Sequence, residues 1–441
     1  MRKKPATSLL AGLLLAAAVA ATADAYKLRT LYSFCIESGC ADGREPASGL
    51  LLDPSGNLYG TALFGGANGV GAIYQLVPNA RRTKWKYRVL YSFCSQSGCA
   101  DGSDPLSGLI ADSAGSLYGT TMAGGPNDGG IAYRLMPNAR RTKWTLQVLY
   151  AFCAASACAD GREPQSDLAY AGKSSGAPYD GTSPLYGTTS QAGAHREGVV
   201  FSIVPGGGSW SEQVLYDFCA LANCADGAGP TAGLLVDPQG NIFGTTYLGG
   251  QGNQGTLFEL SAGRSGRLPT QTVLYSFCTE ASCSDGAFPA ADLVMDASGN
   301  LLGTTFGGGS KGKNCDDIGV SGCGTAFRVQ PDGTGFALLH DFCARRNCAD
   351  GGYPLAGLLM DGLGNLYGAT LYGGGNGAPP GFGTVFALSS PKPLYAFCRL
   401  ENCADGAMPE GNLVMDASGN IFGTALAGGA TGNGTVFELV P

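Results

Sequence analysis

Apolar and polar positions come round in a fixed order along this chain. A short apolar run from Ser48 to Asp53 leads into the turn residues Pro54-Ser55-Gly56-Asn57. A second run, Leu58 to Leu63, ends at Gly65-Gly66, a third spans Gly71 to Val77, and a fourth spans Trp85 to Phe93. Within each run, aromatic and β-branched side chains alternate with small or polar ones, the period-two pattern of a half-buried strand. Between the runs, Pro presets φ and Gly supplies the positive φ that a tight hairpin requires. The pattern predicts four antiparallel strands, A to D, and no helical period or heptad competes with it.

The same order recurs seven times. Leu31-Tyr32-Ser33-Phe34-Cys35 returns at Leu90, Leu149, Leu215, Leu274, Leu339 and Leu394, at spacings of 59, 59, 66, 59, 65 and 55 residues. The full unit reads L-Y-x-F-C-x4-C-x-D-G-x-x-P, an apolar run, D-x-x-G-N, L-Y-G-T-T, G-G and G-T-x-F-x-L. Four strands per unit is one propeller blade. The chain opens on a lone D-type strand, Tyr26 to Phe34. It ends on A, B and C runs at Asn412 to Asp416, Asn420 to Leu426 and Gly434 to Val440. The expected fold is all-β, a seven-bladed β-propeller of four-stranded blades, closed by the N-terminal strand completing the last blade and so leaving no open edge. A solenoid would carry distinct capping repeats, and none is visible.

Residues 1–25 read differently. Arg2, Lys3 and Lys4 precede an apolar run from Leu9 to Ala20, and Ala23-Asp24-Ala25 offers small residues at a cleavage site. This is the pattern of a secretory signal peptide, with residues 26–441 as the mature propeller domain. The apolar run is short for a membrane span, and nothing after it is long and apolar enough to cross a bilayer. Its removal moves the formal charge from −7 to −9 (24 basic minus 33 acidic residues). An acidic surface argues against nucleic acid as a partner. The expected location is secreted, extracellular or periplasmic.

Sixteen cysteines fit that location. Fourteen form Cys-x4-Cys pairs: Cys35–Cys40, Cys94–Cys99, Cys153–Cys158, Cys219–Cys224, Cys278–Cys283, Cys343–Cys348 and Cys398–Cys403. Cys315–Cys323 lies in an insertion within the fifth copy. An even count at fixed spacing in an exported chain reads as eight disulfides. Zinc is the competitor, but a structural site needs four ligands, and the mature chain adds only His195 and His340. Two pairs from adjacent copies would have to converge, which radial geometry opposes.

Repeated polar residues have simple readings. Asp42, Asp101, Asp160, Asp226, Asp285, Asp350 and Asp405 would bond their own turn backbone. Alternatively they ring the channel mouth, where calcium is the cation they would take. Asp53, Asp112, Asp237, Asp296, Asp361 and Asp416 open hairpins. Gly60, Gly119, Gly187, Gly244, Gly368 and Gly423 are expected to allow close backbone approach. His195 reads as a solvated loop residue and His340, in place of a repeated Tyr, as a packed strand residue. The basic hairpins Asn79 to Trp85 and Asn138 to Trp144 read as solvated turns. No nucleophile motif, metalloprotease motif or phosphate cradle is present.

Catalysis or recognition must break the sevenfold repeat. Copy three replaces its A-to-B turn by an insertion near Tyr170 to Pro184. Copy five adds Ser310 to Gly322, with Lys311, Lys313, Asp316 and Asp317; copy six adds Asn376 to Phe382. The loops of copies five and six should lie side by side, with Tyr372 and Phe382 as stacking surfaces. They are the expected ligand site, although neutral length variation is the alternative.

The run L-Y-G-T-T-x-x-G-G-x-x-x-x-G-T-x-F-x-L, best matched at Leu117 to Leu135, Ile242 to Leu260 and Ile421 to Leu439, resembles the bacterial GloVer-type tandem repeat of choice-of-anchor surface proteins. The resemblance covers nearly the whole mature chain and implies export and repetition, with no catalytic residue to transfer. Copy three departs most, with Gly193-Ala194 in place of the glycine pair, and the Cys-x4-Cys element is an addition. The expected function is a non-catalytic extracellular binding or structural scaffold for a glycan, surface polymer or protein partner. The alternative is an exported glycan lyase or hydrolase acting at the channel mouth.

Overall fold

The computed structural model describes residues 26–263, 267–309, 315, 322–375 and 381–441. Each apolar run of the sequence becomes a strand. In the first blade, Leu51–Leu52, Leu58–Ala62, Ala72–Pro78 and Trp85–Ser92 pair antiparallel in the order A-B-C-D. The second, fourth, fifth and sixth blades repeat this order. The seventh sheet runs Val414–Met415, Ile421–Ala425, Thr435–Val440, and its D strand is Lys27–Ser33 from the other end of the chain. This is the seven-bladed propeller, closed as expected. Lys27 lies opposite Val440 and Ser33 opposite Thr435, and the register slips between Thr30 and Tyr32. The same slip recurs in the C–D ladders of the first five blades, so the N-terminal strand is a true D strand.

Blade three differs. It keeps three paired strands, and its A strand shrinks to the single bridge Ala169–Tyr186. The cause is the insertion after Tyr170, which replaces the tight Asp-x-x-Gly-Asn hairpin that holds A against B elsewhere. The A strands are also shorter than the apolar run suggests. Ser48, for example, turns to the neighbouring strand, where its hydroxyl accepts from Thr61 Oγ1 at 2.7 Å.

The core lies between blades. One cluster joins Phe34, Leu50, Leu58, Tyr74 and Leu76 to Phe422 and Val436 across the seam. The Phe of every L-Y-x-F-C unit is buried, from Phe34 to Phe397. Burying each such ring contributes up to about 3 kcal/mol. The strand-B glycines serve this packing in a way the sequence did not reveal. A Cβ on Gly187 would lie 2.5 Å from the Phe201 ring, and one on Gly423 would lie 2.6 Å from Phe437. The close neighbour is an aromatic ring from strand C of the same blade, not backbone.

Adjacent blades are also tied by backbone. The residue before each repeated Pro takes a positive φ, as at Glu45, Asp104 and Glu163. Its N–H then reaches the preceding blade: Asp104 N donates to Val70 O and Glu163 N to Gly129 O, at 2.9 and 3.0 Å. Glu45 N donates to Asn433 O at 2.9 Å, so the seam carries the same bond as every other interface.

Candidate functional site

The repeated acids are consumed by structure. Asp42 accepts from Tyr32 Oη at 2.7 Å and from the N–H groups of Ile36 and Glu37 at 3.0 and 3.2 Å. Asp101, Asp160, Asp226, Asp285 and Asp405 are held likewise by the Tyr of L-Y-x-F-C and by the Cys-loop backbone. The partner is therefore the Cys loop, not the Asp-Gly turn itself. His340 substitutes for the Tyr, with Nε2 3.5 Å from Asp350 and its ring edge-on to Phe342. Burial works to raise the Asp350 pKa, but His340 and the Arg345 N–H outweigh it and the net shift is downward. Asp53 and its equivalents hold their hairpins as expected: Asp53 Oδ1 accepts from Ser55 N and Asn57 N. In the basic hairpins, Arg82 reaches Asp416 of the seventh blade at 2.5 Å. His195 is exposed in its loop.

The residues that break the repeat converge elsewhere. Immediately before strand A, the seven copies read Gly49, Gly108, Asp167, Gly233, Asp292, Gly357 and Asn412. Three residues earlier each copy has Pro, and between them stand Ala47, Leu106, Gln165, Thr231, Ala290, Leu355 and Glu410. Residues of these two columns, all but Gly108 and Gly357, line a cavity of about 300 Å³ on the propeller axis, joined by Tyr247 from a B-to-C loop.

Ring geometry explains the alternation. Asp167 Oδ1 accepts from Gly108 N at 2.6 Å, Asp292 Oδ1 from Gly233 N at 2.6 Å, and Asn412 Oδ1 from Gly357 N at 2.7 Å. Each side chain leans on the preceding copy's glycine, where a Cβ would lie 2.9 Å from Asp167 Oδ1, 2.7 Å from Asp292 Oδ1 and 3.0 Å from Asn412 Oδ1. The narrow axis thus admits one side chain for every two copies, and Gly49 is the odd member of seven. Asn412 Nδ2 also donates to Asp292 Oδ2 at 3.0 Å.

The electrostatics are uneven. Burial and the charge of Asp167 push the Asp292 pKa up, against Lys173, the Gly233 N–H and Asn412, which favour the carboxylate. Lys173 comes from the copy-three insertion, and its Nζ donates to Leu168 O at 3.2 Å. Burial alone pushes Glu410 up to about 7. Glu410 has no hydrogen-bonding or ionic partner among the described residues. Thr231 Oγ1 is likewise buried and unpaired. The Tyr247 ring packs tilted against Phe288, centroids 5.0 Å apart, and burial raises its pKa. The cavity therefore combines carboxyl groups, two of them with raised pKa values, and neutral polar groups within an apolar wall.

Of the loop residues expected to bind ligand, Tyr372 and Phe382 do not line this cavity. Lys311, Lys313, Asp316 and Asp317 lie outside the described residues. Tyr372 is half-buried and edge-on to Tyr353 at 5.8 Å, and Phe382 packs against the core between the sixth and seventh blades. The channel acids escaped the sequence reading because each sits between the repeated Pro and strand A, outside the repeated motifs. The signal was a column comparison: Asp, Asp and Asn where the other four copies have Gly. One further expectation fails. Two cysteine pairs do converge, since Cys315, Cys323, Cys343 and Cys348 are buried with all four sulfurs within 4.8 Å. Cys315, from the copy-five insertion, lies against the crossover between blades five and six, where Tyr353 Oη donates to its carbonyl, a contact that radial spacing of the regular pairs does not anticipate. All sixteen cysteines are nonetheless in bridges, paired as expected.

A model of the Gloeobacter/Verrucomicrobia repeat matches residues 17–183, 175–315 and 316–441. The chain belongs to this repeat family. Each match to the Gloeobacter/Verrucomicrobia repeat spans two to three blades. No curated protein matches the chain. Among solved structures, it is similar to a putative 6-phosphogluconolactonase from Bacteroides uniformis, at 14% identity over 77% of this chain and 80% of that one, TM-score 0.44. It is also similar to an α-L-arabinanase from Penicillium chrysogenum complexed with arabinobiose, at 12% identity over 78% and 93%, TM-score 0.44. A PQQ-bound aldose sugar dehydrogenase from Streptomyces coelicolor aligns at 11% identity over 94% and 98%, TM-score 0.41.

Proposed function

We propose that this is an exported binding propeller that takes a hydroxyl-rich ligand, such as the end of a glycan, into the mouth of its central channel. The observation that carries this reading is the convergence of Asp167, Asp292, Asn412 and Glu410 on one cavity, at positions where most other copies carry glycine or an apolar residue. Carboxylates and amides both bond hydroxyls, and Tyr247 offers a ring face beside them. A cavity of about 300 Å³ suits one or two sugar residues, at the small end of ligand sites. The D-to-A crossovers and B-to-C loops share the face on which the channel opens, as the bridge Arg44–Phe64 between them indicates. The inserted loops of copies five and six, with Lys311, Lys313, Asp316, Asp317, Tyr372 and Phe382, would then form an outer rim for a longer polymer. Export is supported by the N-terminal pattern and by eight disulfides, which persist in oxidising compartments.

A second reading rests on Glu410. A carboxyl group protonated up to about pH 7 is suited to act as a general acid, with Asp167 as the second carboxyl group in glycan cleavage. One experiment separates these readings. Soluble glycans are screened against the full chain by calorimetry, with product analysis of each binder. Glu410→Ala and Asp167→Gly, which restore residues found in other copies, should each weaken binding at least tenfold with the melting curve kept. Unchanged binding in both variants would remove the ligand from the channel. Cleaved product that disappears in Glu410→Gln, while binding persists, would establish the hydrolase.

A further inference from the structure

We propose that Cys315, Cys323, Cys343 and Cys348 form, when reduced, a four-thiolate zinc site between the fifth and sixth blades. Their four sulfurs already lie within 4.8 Å of one another. Tetrahedral zinc with bonds of about 2.3 Å sets its sulfurs about 3.8 Å apart, so side-chain rotations suffice. These four are the buried cysteines among the described residues; the other Cys-x4-Cys pairs are half-exposed at the rim. Leu302, Phe342, Leu358 and Phe386 surround them and exclude water.

Charge supports the assignment. The loop joining Cys343 to Cys348 reads Ala344-Arg345-Arg346-Asn347, and no other Cys-x4-Cys loop carries two cations. Adjacent cations lower thiol pKa values and offset the net double negative charge of a zinc tetrathiolate. Asp350, the acid nearest in sequence, is already held by the N–H groups of Ala344 and Arg345 and by His340. In the structure the four sulfurs are two disulfides. Two disulfides, two phosphines and two waters give four thiols and two phosphine oxides, the phosphine supplying the four electrons and water the four protons. One Zn²⁺ then displaces four protons and forms four Zn–S bonds. Each bridge closes its own loop, whereas the metal would tie the two loops together, and redox conditions choose between the two states.

The test uses the full mature chain, reduced anaerobically with a phosphine and titrated with cobalt(II), then zinc. About one cobalt per chain should bind with the intense visible bands of a tetrahedral thiolate site, and zinc should displace it. Alkylation with zinc present should leave four of the sixteen cysteines unmodified. The Cys315→Ser/Cys323→Ser variant keeps every Cys-x4-Cys pair and should lose the bands, whereas Cys398→Ser/Cys403→Ser should keep them. Should reduction unfold the chain, zinc must restore its near-ultraviolet circular dichroism. Absence of stoichiometric cobalt, equal uptake by both variants, or failure of zinc to refold an unfolded reduced chain would each overturn the proposal.

Discussion

Glu410 and Glu212 share an unusual property, since burial pushes both up to about 7, with Asp160 adding to the effect at Glu212. Glu212 stands on strand D of the third blade with Oε1 buried and unpaired. Equivalent positions elsewhere donate to a crossover carbonyl: Tyr87 Oη to Asp42 O, and Gln271 Nε2 to Asp226 O at 3.1 Å. A protonated Glu212 can make that bond and an ionised one cannot. Folded-state pKa values above the ordinary 4.5 mean that the native chain holds protons the unfolded chain has released. The resulting stabilisation is complete below about pH 4.5 and is lost as pH rises to about 7. The melting temperature should therefore fall between pH 5 and pH 7.5. The Glu212→Gln/Glu410→Gln double variant should show a flatter profile in differential scanning fluorimetry; an unchanged slope would mean that neither group titrates there. The tyrosine–aspartate bond of each crossover is another residue-scale device, and it was half visible in the sequence. The Asp and the Tyr both recur, but only folding brings them within 2.7 Å.

At the scale of the element, the N-terminal strand is the piece with most consequence. Lys27–Ser33 contributes a fourth strand to the last blade, a salt bridge from Arg29 to the buried Glu438, and, just beyond it, the buried ring of Phe34. Its loss would expose the ladder edge of Thr435–Val440 and open the seam core to water. Deleting residues 26–34 should cost several kcal/mol, a large part of a net stability of about 5–15 kcal/mol. Denaturant unfolding and light scattering should report a much weakened or aggregating protein, and an unchanged monomer would refute closure by this strand. The identity of this element was legible in advance, because a D-type pattern without A, B or C has a single vacant place in a ring. The weakening of strand A in blade three was legible only as a missing turn, and its reduction to one bridge followed from how the insertion folds.

For the whole molecule, the seam is equivalent to the other six interfaces. The backbone bond from Glu45 to Asn433 matches those from Asp104 and Glu163, and Pro46 packs on Gly434 as Pro105 packs on Gly71. Nothing but chain connectivity marks where the ring begins. A circular permutant should exploit this: Pro441 joined to Tyr26 by a short linker, with new ends cut in the exposed hairpin at Arg140-Arg141. Such a chain should form all eight disulfides and melt within a few degrees of the original, because every strand keeps its partners. A permutant that fails to fold would show that the native seam has a special role. The comparison also isolates the cost of losing a strand from the cost of moving the ends.

What the sequence determined by itself was everything encoded locally and repeated: strand periodicity, turn chemistry, the count of seven, the partner of the N-terminal strand and the pairing of cysteines five residues apart. Each depends on neighbours within one unit, so one pass along the chain exposes it. What tertiary structure decided was convergence. Asp167, Asp292, Glu410 and Asn412 come from units 55 to 66 residues in length and meet because a closed ring brings one position of every copy to a common axis. Glycine stands beside them because the axis has room for one side chain per two copies. The four central cysteines meet for a related reason, since Cys315 and Cys323 of one blade lie against Cys343 and Cys348 of the crossover to the next. Local pattern fixes the blade, and only the radius of the ring and the path of its insertions determine which side chains face each other.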